Sequence, residues 1–308
     1  MRFWGIGILL SLLSLPLSAL TRTDYRAVHG MLSNGWVVLR AWSEAGEPRC
    51  LAVDPATLEV SVVSGNPDSV KGEAPQKSTY ELLRTAVRER RDGVQNAGLR
   101  VGRPQRTGAW LTFDLCPSTH PLDRDLFRDL ETDASPLPVF LEVSGRWMAT
   151  HPADLSWLIE QRDAGLLEIT WVNHTENHNY RPGVPLKENF LLLPGTDLDA
   201  EVFTVEQRLL ERGELPSVFF RFPGLVSSPE LVDRVLALGL IPLGSSAWLA
   251  KQQSVKNGAV VLTHANGNEP EGLEILERWD HRHRPDLFTG AWHWLDERDW
   301  VGAAPPAP

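Results

Sequence analysis

Two histidines four residues apart, His174 and His178, stand in the run Asn173-His174-Thr175-Glu176-Asn177-His178, directly after a strand-like stretch at 166–172. In one turn of helix, positions i and i+4 share a face, and two imidazoles on one face can grip a single metal ion. No other stretch of the chain offers a comparable density of ligands. Such a pair also recurs by chance, so its meaning depends on what else reaches the same place. Polar residues stand where apolar runs end: Asp114 after 110–113, Ser144 after 137–143, Arg221 within 218–222 and His264 after 259–263. Each has a plainer structural reading when taken alone. Asp114 suits a turn cap, Arg221 an ion pair with Asp114, His264 a core position and Glu142 a solvated strand face.

The elements that must position these residues are legible from 108 onward as alternating strands and helices, which implies a parallel sheet or barrel. Strands are expected at 110–113, 137–143, 168–172, 218–222, 240–243 and 259–264, with helices at 154–165, 204–212 and 229–238. In a β/α barrel the strand ends share one face, and that face carries the chemistry. Residues 20–105 differ: strand-like runs at 36–42, 50–53 and 58–63 precede a charged helix expected over 78–96.

The chain has 308 residues, 42% hydrophobic and 23% charged, with a formal net charge of −10. That balance is ordinary for a globular protein and argues against an electrostatically driven nucleic-acid binder, which needs clustered Lys and Arg. Twelve Trp against three Tyr suits either sugar stacking or core packing. Residues 1–19 read as a signal peptide, with Arg2, an apolar run and a cleavage site at Leu17-Ser18-Ala19. The apolar run is short for a membrane span, and no later stretch could cross, so the expected product is exported, periplasmic or secreted. Two cysteines exist, Cys50 and Cys116. A disulfide between them, two buried thiols and Cys116 as a metal ligand are all compatible with an oxidising compartment.

Five motifs in order resemble the polysaccharide deacetylases of carbohydrate esterase family four. Leu111-Thr112-Phe113-Asp114-Leu115-Cys116-Pro117 is similar to that family's T-F-D-D-G-P motif. Residues 139–145 followed by His151-Pro152 resemble its second strand and helix, 173–178 its N-H-[ST]-x-x-H motif, Arg221-Phe222-Pro223-Gly224 its R-x-P-x motif, and Leu262-Thr263-His264 its closing L-x-H motif. The similarity spans about 108–280. It implies a distorted β/α barrel and a divalent metal, usually Zn2+, and amide or ester hydrolysis of N-acetylated sugars in a polysaccharide or peptidoglycan-type glycan. It further implies His174 and His178 as ligands, Asp114 as base or ligand, Arg221 as the partner of Asp114 and His264 as acid. Trp248, Leu262 and Glu142 are the expected substrate-side residues, with Trp248 where the family often has an aspartate–tryptophan element.

One departure is sharp. The family's second, metal-binding aspartate is Leu115 here, and the following glycine is Cys116. Asp114 then binds the metal and leaves the base role to Glu142 or Glu176, or a water or Cys116 completes the coordination, or the metal is lost and a glycan-binding barrel remains. A peptide or small-amide hydrolase on the same scaffold is a third class. The expected organisation is a signal peptide at 1–19, a small β-rich lobe at 20–105, the barrel at 106–285 and a C-terminal tail at 286–308, its Ala/Pro end disordered.

Overall fold

A computed structural model describes residues 22–90, 93–131 and 136–304. The expected signal peptide and the last four residues lie outside the described residues. The chain begins with an antiparallel meander of β1 (Arg22–Ala27), β2 (Val37–Glu44), β3 (Glu47–Val53) and β4 (Val60–Ser64), in that spatial order. Ala45 and Gly46 both take positive φ, 52° and 83°, as the two-residue turn from β2 to β3 demands. Helix α1 (Thr79–Arg88) follows, its first turn capped by Ser78, whose hydroxyl accepts from the Glu81 N–H.

The expected helix over 78–96 is therefore shorter. Asn96 adopts a φ of 65°, and its side chain pairs with the backbone of Ser245 at both ends, so this segment is held out of helix.

The remainder is β5 (Gly108–Leu115), α2 (Arg124–Glu131), β6 (Leu137–Val143), α3 (Gly145–Thr150), α4 (Pro152–Asp163), β7 (Leu167–Asn173), α5 (Leu198–Glu211), β8 (Pro216–Phe220), α6 (Pro229–Ala237), β9 (Ile241–Pro242), β10 (Ala247–Trp248), β11 (Val260–Thr263), α7 (Pro270–Thr289) and β12 (His293–Trp294). The strands form one curled parallel sheet in the order β10-β11-β5-β6-β7-β8-β9, with β12 added to β5. This is the expected α/β architecture, a distorted barrel beside a small β-rich lobe.

The sheet ladder does not run from β9 to β10. Residues 99–102 fill that seam: Leu99 N–H donates to Pro242 O at 2.8 Å, and Arg100 O accepts from Val260 N–H at 3.0 Å. Gly98 makes the approach possible, because a Cβ there would collide with the Pro242 carbonyl.

β5 is buried along its whole length, as a strand covered on both faces must be. Its side chains alternate between two cores. Leu111, Phe113 and Leu115 pack under α2, α3, α4 and α7, while Trp110 joins the cluster that continues through Phe140 and Val172 into the lobe. Leu115 is thus committed to the helix side of the sheet.

The stretch read as a C-terminal tail is built into the barrel. α7 runs on to Thr289, and β12 pairs His293 with Gly108 and Trp294 with Ala109 at the start of β5. Trp300 stacks on Trp110 with ring centroids 3.8 Å apart, sealing the end of the barrel opposite the strand ends. Apart from Trp248, the described Trp residues lie away from the pocket, and Trp42, Trp110, Trp147, Trp157, Trp171, Trp294 and Trp300 are buried. Core packing accounts for most of that composition.

Candidate functional site

Strand register brings the polar residues to one rim. Leu115 lies opposite Val143, Val143 opposite Asn173 and Asn173 opposite Phe220, so β5 to β8 end at one level. Cys116, Ser144, His174 and Arg221 follow directly, and His264 follows β11 beside them. Ser144 serves the fold: its hydroxyl donates to Leu115 O and accepts from Trp147 N–H, tying β5 to β6 and capping α3.

The two histidines converge without a helix. Residues 174–178 form a turn in which Thr175 and His178 take φ of 68° and 47°, and the rings stand 4.7 Å apart. Positive φ at a β-branched residue is costly and persists only where the surroundings enforce it. Here Asn173 Oδ1 accepts from Thr175 N–H, while Glu201 of α5 accepts from both the backbone and the side chain of Asn177. Glu201 escaped the sequence reading because α5 was expected to start at Thr204. Glu176, a candidate base, instead pairs with Arg208 at 2.7 Å.

His174 is sealed, and its Nδ1 donates to the Arg221 carbonyl at 2.9 Å, which leaves Nε2 as the lone-pair nitrogen. Nε2 lies 3.7 Å from Asp114 Oδ2 and 3.5 Å from Cys116 Sγ. Burial pushes His174 down to about 3, against that backbone hydrogen bond, and burial with the neighbouring His174 holds His178 well below its ordinary value. Both rings are therefore neutral at neutral pH. Ligand atoms of Cys116, His174 and His178 lie within 4.8 Å of one another, and His178 Nε2 is buried with no hydrogen-bond partner. Neutral imidazoles, a thiol and a carboxylate around an orphaned nitrogen are a donor set that fits a divalent metal ion.

Behind this cluster, the sealed Arg221 reaches Asp114 Oδ1 at 3.2 Å, Thr112 Oγ1 at 3.0 Å and Glu142 Oε1 at 3.3 Å. Burial drives the Glu142 carboxyl well above the ordinary range; Arg221 opposes this and the Asp114 charge reinforces it. Glu142 is fully buried and absent from the pocket lining, so the expectation of a substrate-side role is corrected. Its place beneath Asp114 follows from the register, which sets the two opposite one another. Burial also raises the Cys116 thiol, with Asp114 and Glu269 adding to it.

The rim opens into a pocket of about 590 Å³ lined by Asp114, Cys116, His178, Trp248, Leu262, His264 and Glu269, among others. Trp248 and Leu262, named on the substrate side, are among its lining residues. Tyr180 and Phe190 form an aromatic wall with ring centroids 5.3 Å apart, and Gly224 admits Phe190 because a Cβ there would strike its ring.

Glu269 was not singled out as a side chain in the sequence, where 266–270, after the last strand, read either as a substrate contact or as a turn. Its Oε2 lies 3.1 Å from His264 Nδ1, without an aligned hydrogen bond, and accepts from Trp248 Nε1–H at 2.7 Å. Burial alone would raise Glu269, but the His264 and Trp248 contacts and the Lys251 charge outweigh it and hold the carboxyl below its usual value.

Cys50 and Cys116 are free thiols; Cys50 is packed in the lobe core, so the disulfide alternative is set aside.

No protein-family model matches the chain. Its fold is similar to that of a family 4 carbohydrate esterase from Bacillus anthracis, with a TM-score of 0.51 and 18% identity over 72% of this chain and 90% of that one. It is also similar to Bacillus subtilis PdaA, another family 4 carbohydrate esterase, with a TM-score of 0.50 and 14% identity over 82% of this chain and 94% of that one. At such identities the likeness is one of fold.

Proposed function

We propose that the chain is a metal-dependent hydrolase that removes acetyl groups from N-acetylated sugars of a polysaccharide. The observation that carries this reading is the meeting, at one barrel rim, of two neutral imidazoles, an arginine-held carboxylate and a second imidazole–carboxylate pair on the same pocket wall. The carbohydrate esterases of similar fold support an acylated sugar as substrate.

His174 and His178 would hold the ion, with Asp114 beside them, and zinc suits nitrogen-rich donors of this kind. Such an ion supplies Lewis acidity to the acyl oxygen and to an attacking water. Arg221 engages Asp114 Oδ1 and leaves Oδ2 turned towards the rim. Asp114 is thereby oriented to take a proton from the water as its oxygen adds to the acyl carbon. His264 gives a proton to the amine nitrogen as the carbon–nitrogen bond breaks, so acetate and a free amine leave. Glu269 positions that imidazole, its Oε2 standing 3.1 Å from Nδ1. Trp248 offers an indole to a sugar ring, its Nε1–H fixed by Glu269 and one face covered by Lys251 at 3.4 Å from the ring centroid.

The rival reading is a glycan-binding barrel without turnover, marked by Leu115, which packs on the helix side of the sheet and cannot coordinate an ion. Acetate release from chito-oligosaccharides, measured beside release from simple acetyl esters and after chelation, separates the classes. Chelator-sensitive release from the oligosaccharide is expected. Oligosaccharide binding without release would favour the binder, and release from simple acetyl substrates alone would favour a small-amide or ester hydrolase. Among the described residues, no helix is long and apolar enough to cross a membrane. The signal-peptide reading of 1–19 supports export to the periplasm or beyond, where peptidoglycan or an exopolysaccharide would be met.

A further inference from the structure

We infer that Cys116 is itself a metal ligand, its thiolate taking the coordination position that Leu115 cannot fill and leaving Asp114 free to act as base. This rests on the metal-dependent reading above and specifies its donor set. Three observations carry it.

First, β5 commits Leu115 to the helix-side core, and the turn that follows brings Cys116 onto the pocket wall. Second, Cys116 Sγ stands 3.5 Å from the one nitrogen of His174 that carries a lone pair. Zinc binds sulfur at about 2.3 Å and imidazole nitrogen at about 2.0–2.1 Å, and at tetrahedral angles two such atoms stand about 3.6 Å apart. The pair is therefore already spaced as co-ligands. Third, His178 Nε2 is buried without a partner in the same cluster. A lone thiol–imidazole hydrogen bond would explain the second observation and leave the third unexplained.

Asp114 has another commitment, to Arg221, which already claims its Oδ1. On binding a divalent ion the Cys116 thiol loses its proton to solvent, and the thiolate contributes one negative charge against the two positive charges of the ion. The result is a His2Cys site with an open position, softer than a His2Asp site and selective for zinc or cobalt over magnesium or manganese.

Cobalt(II) reports the donor directly, because a thiolate ligand adds an intense near-ultraviolet charge-transfer band to the weaker visible bands of the ion. The experiment loads the purified full chain, Cys116→Ser and Cys50→Ser with cobalt and records spectra and affinity. The expected result is the near-ultraviolet band in the wild type and in Cys50→Ser, its loss in Cys116→Ser, and at least about tenfold weaker cobalt binding in that variant. Visible bands without the charge-transfer band in the wild type would overturn the thiolate ligand and leave the hydrolase reading standing. A band that persists in Cys116→Ser would overturn it equally. Failure of the wild type to bind cobalt at all would remove both the ligand and the metal centre it rests on. If Cys116→Ser does not fold, the wild-type and Cys50→Ser spectra together decide the matter, since a band that survives in Cys50→Ser leaves Cys116 as the thiolate.

Discussion

Asp114 is held by Arg221 through one oxygen and faces His174 with the other. If it is the base, Asp114→Asn keeps the shape and loses the basicity. The variant should retain bound metal while acetate release falls by about 10²–10⁴-fold; metal analysis beside turnover checks this, and turnover near wild type would remove Asp114 from the chemistry. Glu142 is sealed beneath Asp114 and absent from the pocket lining, so it does not reach the place a base must occupy. Glu269 makes a different prediction. Its Oε2 lies 3.1 Å from Nδ1 of His264, the proposed acid, so Glu269→Gln should slow cleavage of N-acetyl amides much more than that of activated aryl acetates, whose leaving group needs no proton. Equal losses on both would reduce Glu269 to a structural contact. At this scale Asp114, His174, Arg221 and His264 stood out in the sequence as polar residues ending apolar strands, and His178 by its spacing from His174. Glu269 stayed hidden because its partners, His264 and Trp248, are joined to it only by the fold.

Among the elements, fully buried parallel strands announce themselves as continuous apolar runs, which is why β5, β6, β7 and β11 were legible to within a few residues. β10 and β12 span two residues each, too short to carry any periodicity, whereas the equally short β9 lies inside the strand expected at 240–243. The histidine turn was expected as helix because spacing alone does not distinguish a helical turn from a loop pinned by Asn173 and Glu201. The C-terminal stretch escaped notice for the same reason as β12, yet it seals one end of the barrel through Trp300. Next to that Trp, Glu297 is pushed up to about 7, chiefly by burial and then by the Asp296 and Glu168 charges. Its folded-state value is raised, so the folded chain holds the proton more tightly than the unfolded chain does. The associated stability is complete below about 4.3, the unfolded carboxyl value, and is lost as pH rises through about 7. Glu297→Gln should therefore stabilise the protein at pH 8 by about 1 kcal/mol or less, given partial solvent access, and leave it unchanged or less stable at pH 4. Denaturation midpoints at the two pH values test this, and a gain at pH 4 that vanishes at pH 8 would contradict it.

The lobe and the barrel share one hydrophobic cluster, from Val37, Leu39 and Tyr80 to Phe219 and Val235. Arg40 of β2 is sealed within their junction, with its guanidinium on both oxygens of Glu206 at 2.7 Å and on Leu238 O at 2.6 Å. A buried charge left without its partner costs about 3–5 kcal/mol, whereas apolar replacement of both partners is often nearly neutral. Glu206→Ala should lose that much stability in denaturant titrations, and Arg40→Met with Glu206→Leu should recover most of it. An equal loss in the double variant would mean that the pair itself holds the lobe in place. The whole molecule thus places the rim above two packed cores, and the proposed function requires that this rim hold a metal ion. The most direct measurement is metal content and acetate release from an N-acetylated chito-oligosaccharide, for the wild type and for His174→Ala/His178→Ala. The account predicts about one equivalent of metal and steady release in the wild type, with both lost in the double variant. A wild type that takes up no metal, or a double variant that releases acetate undiminished, would contradict it.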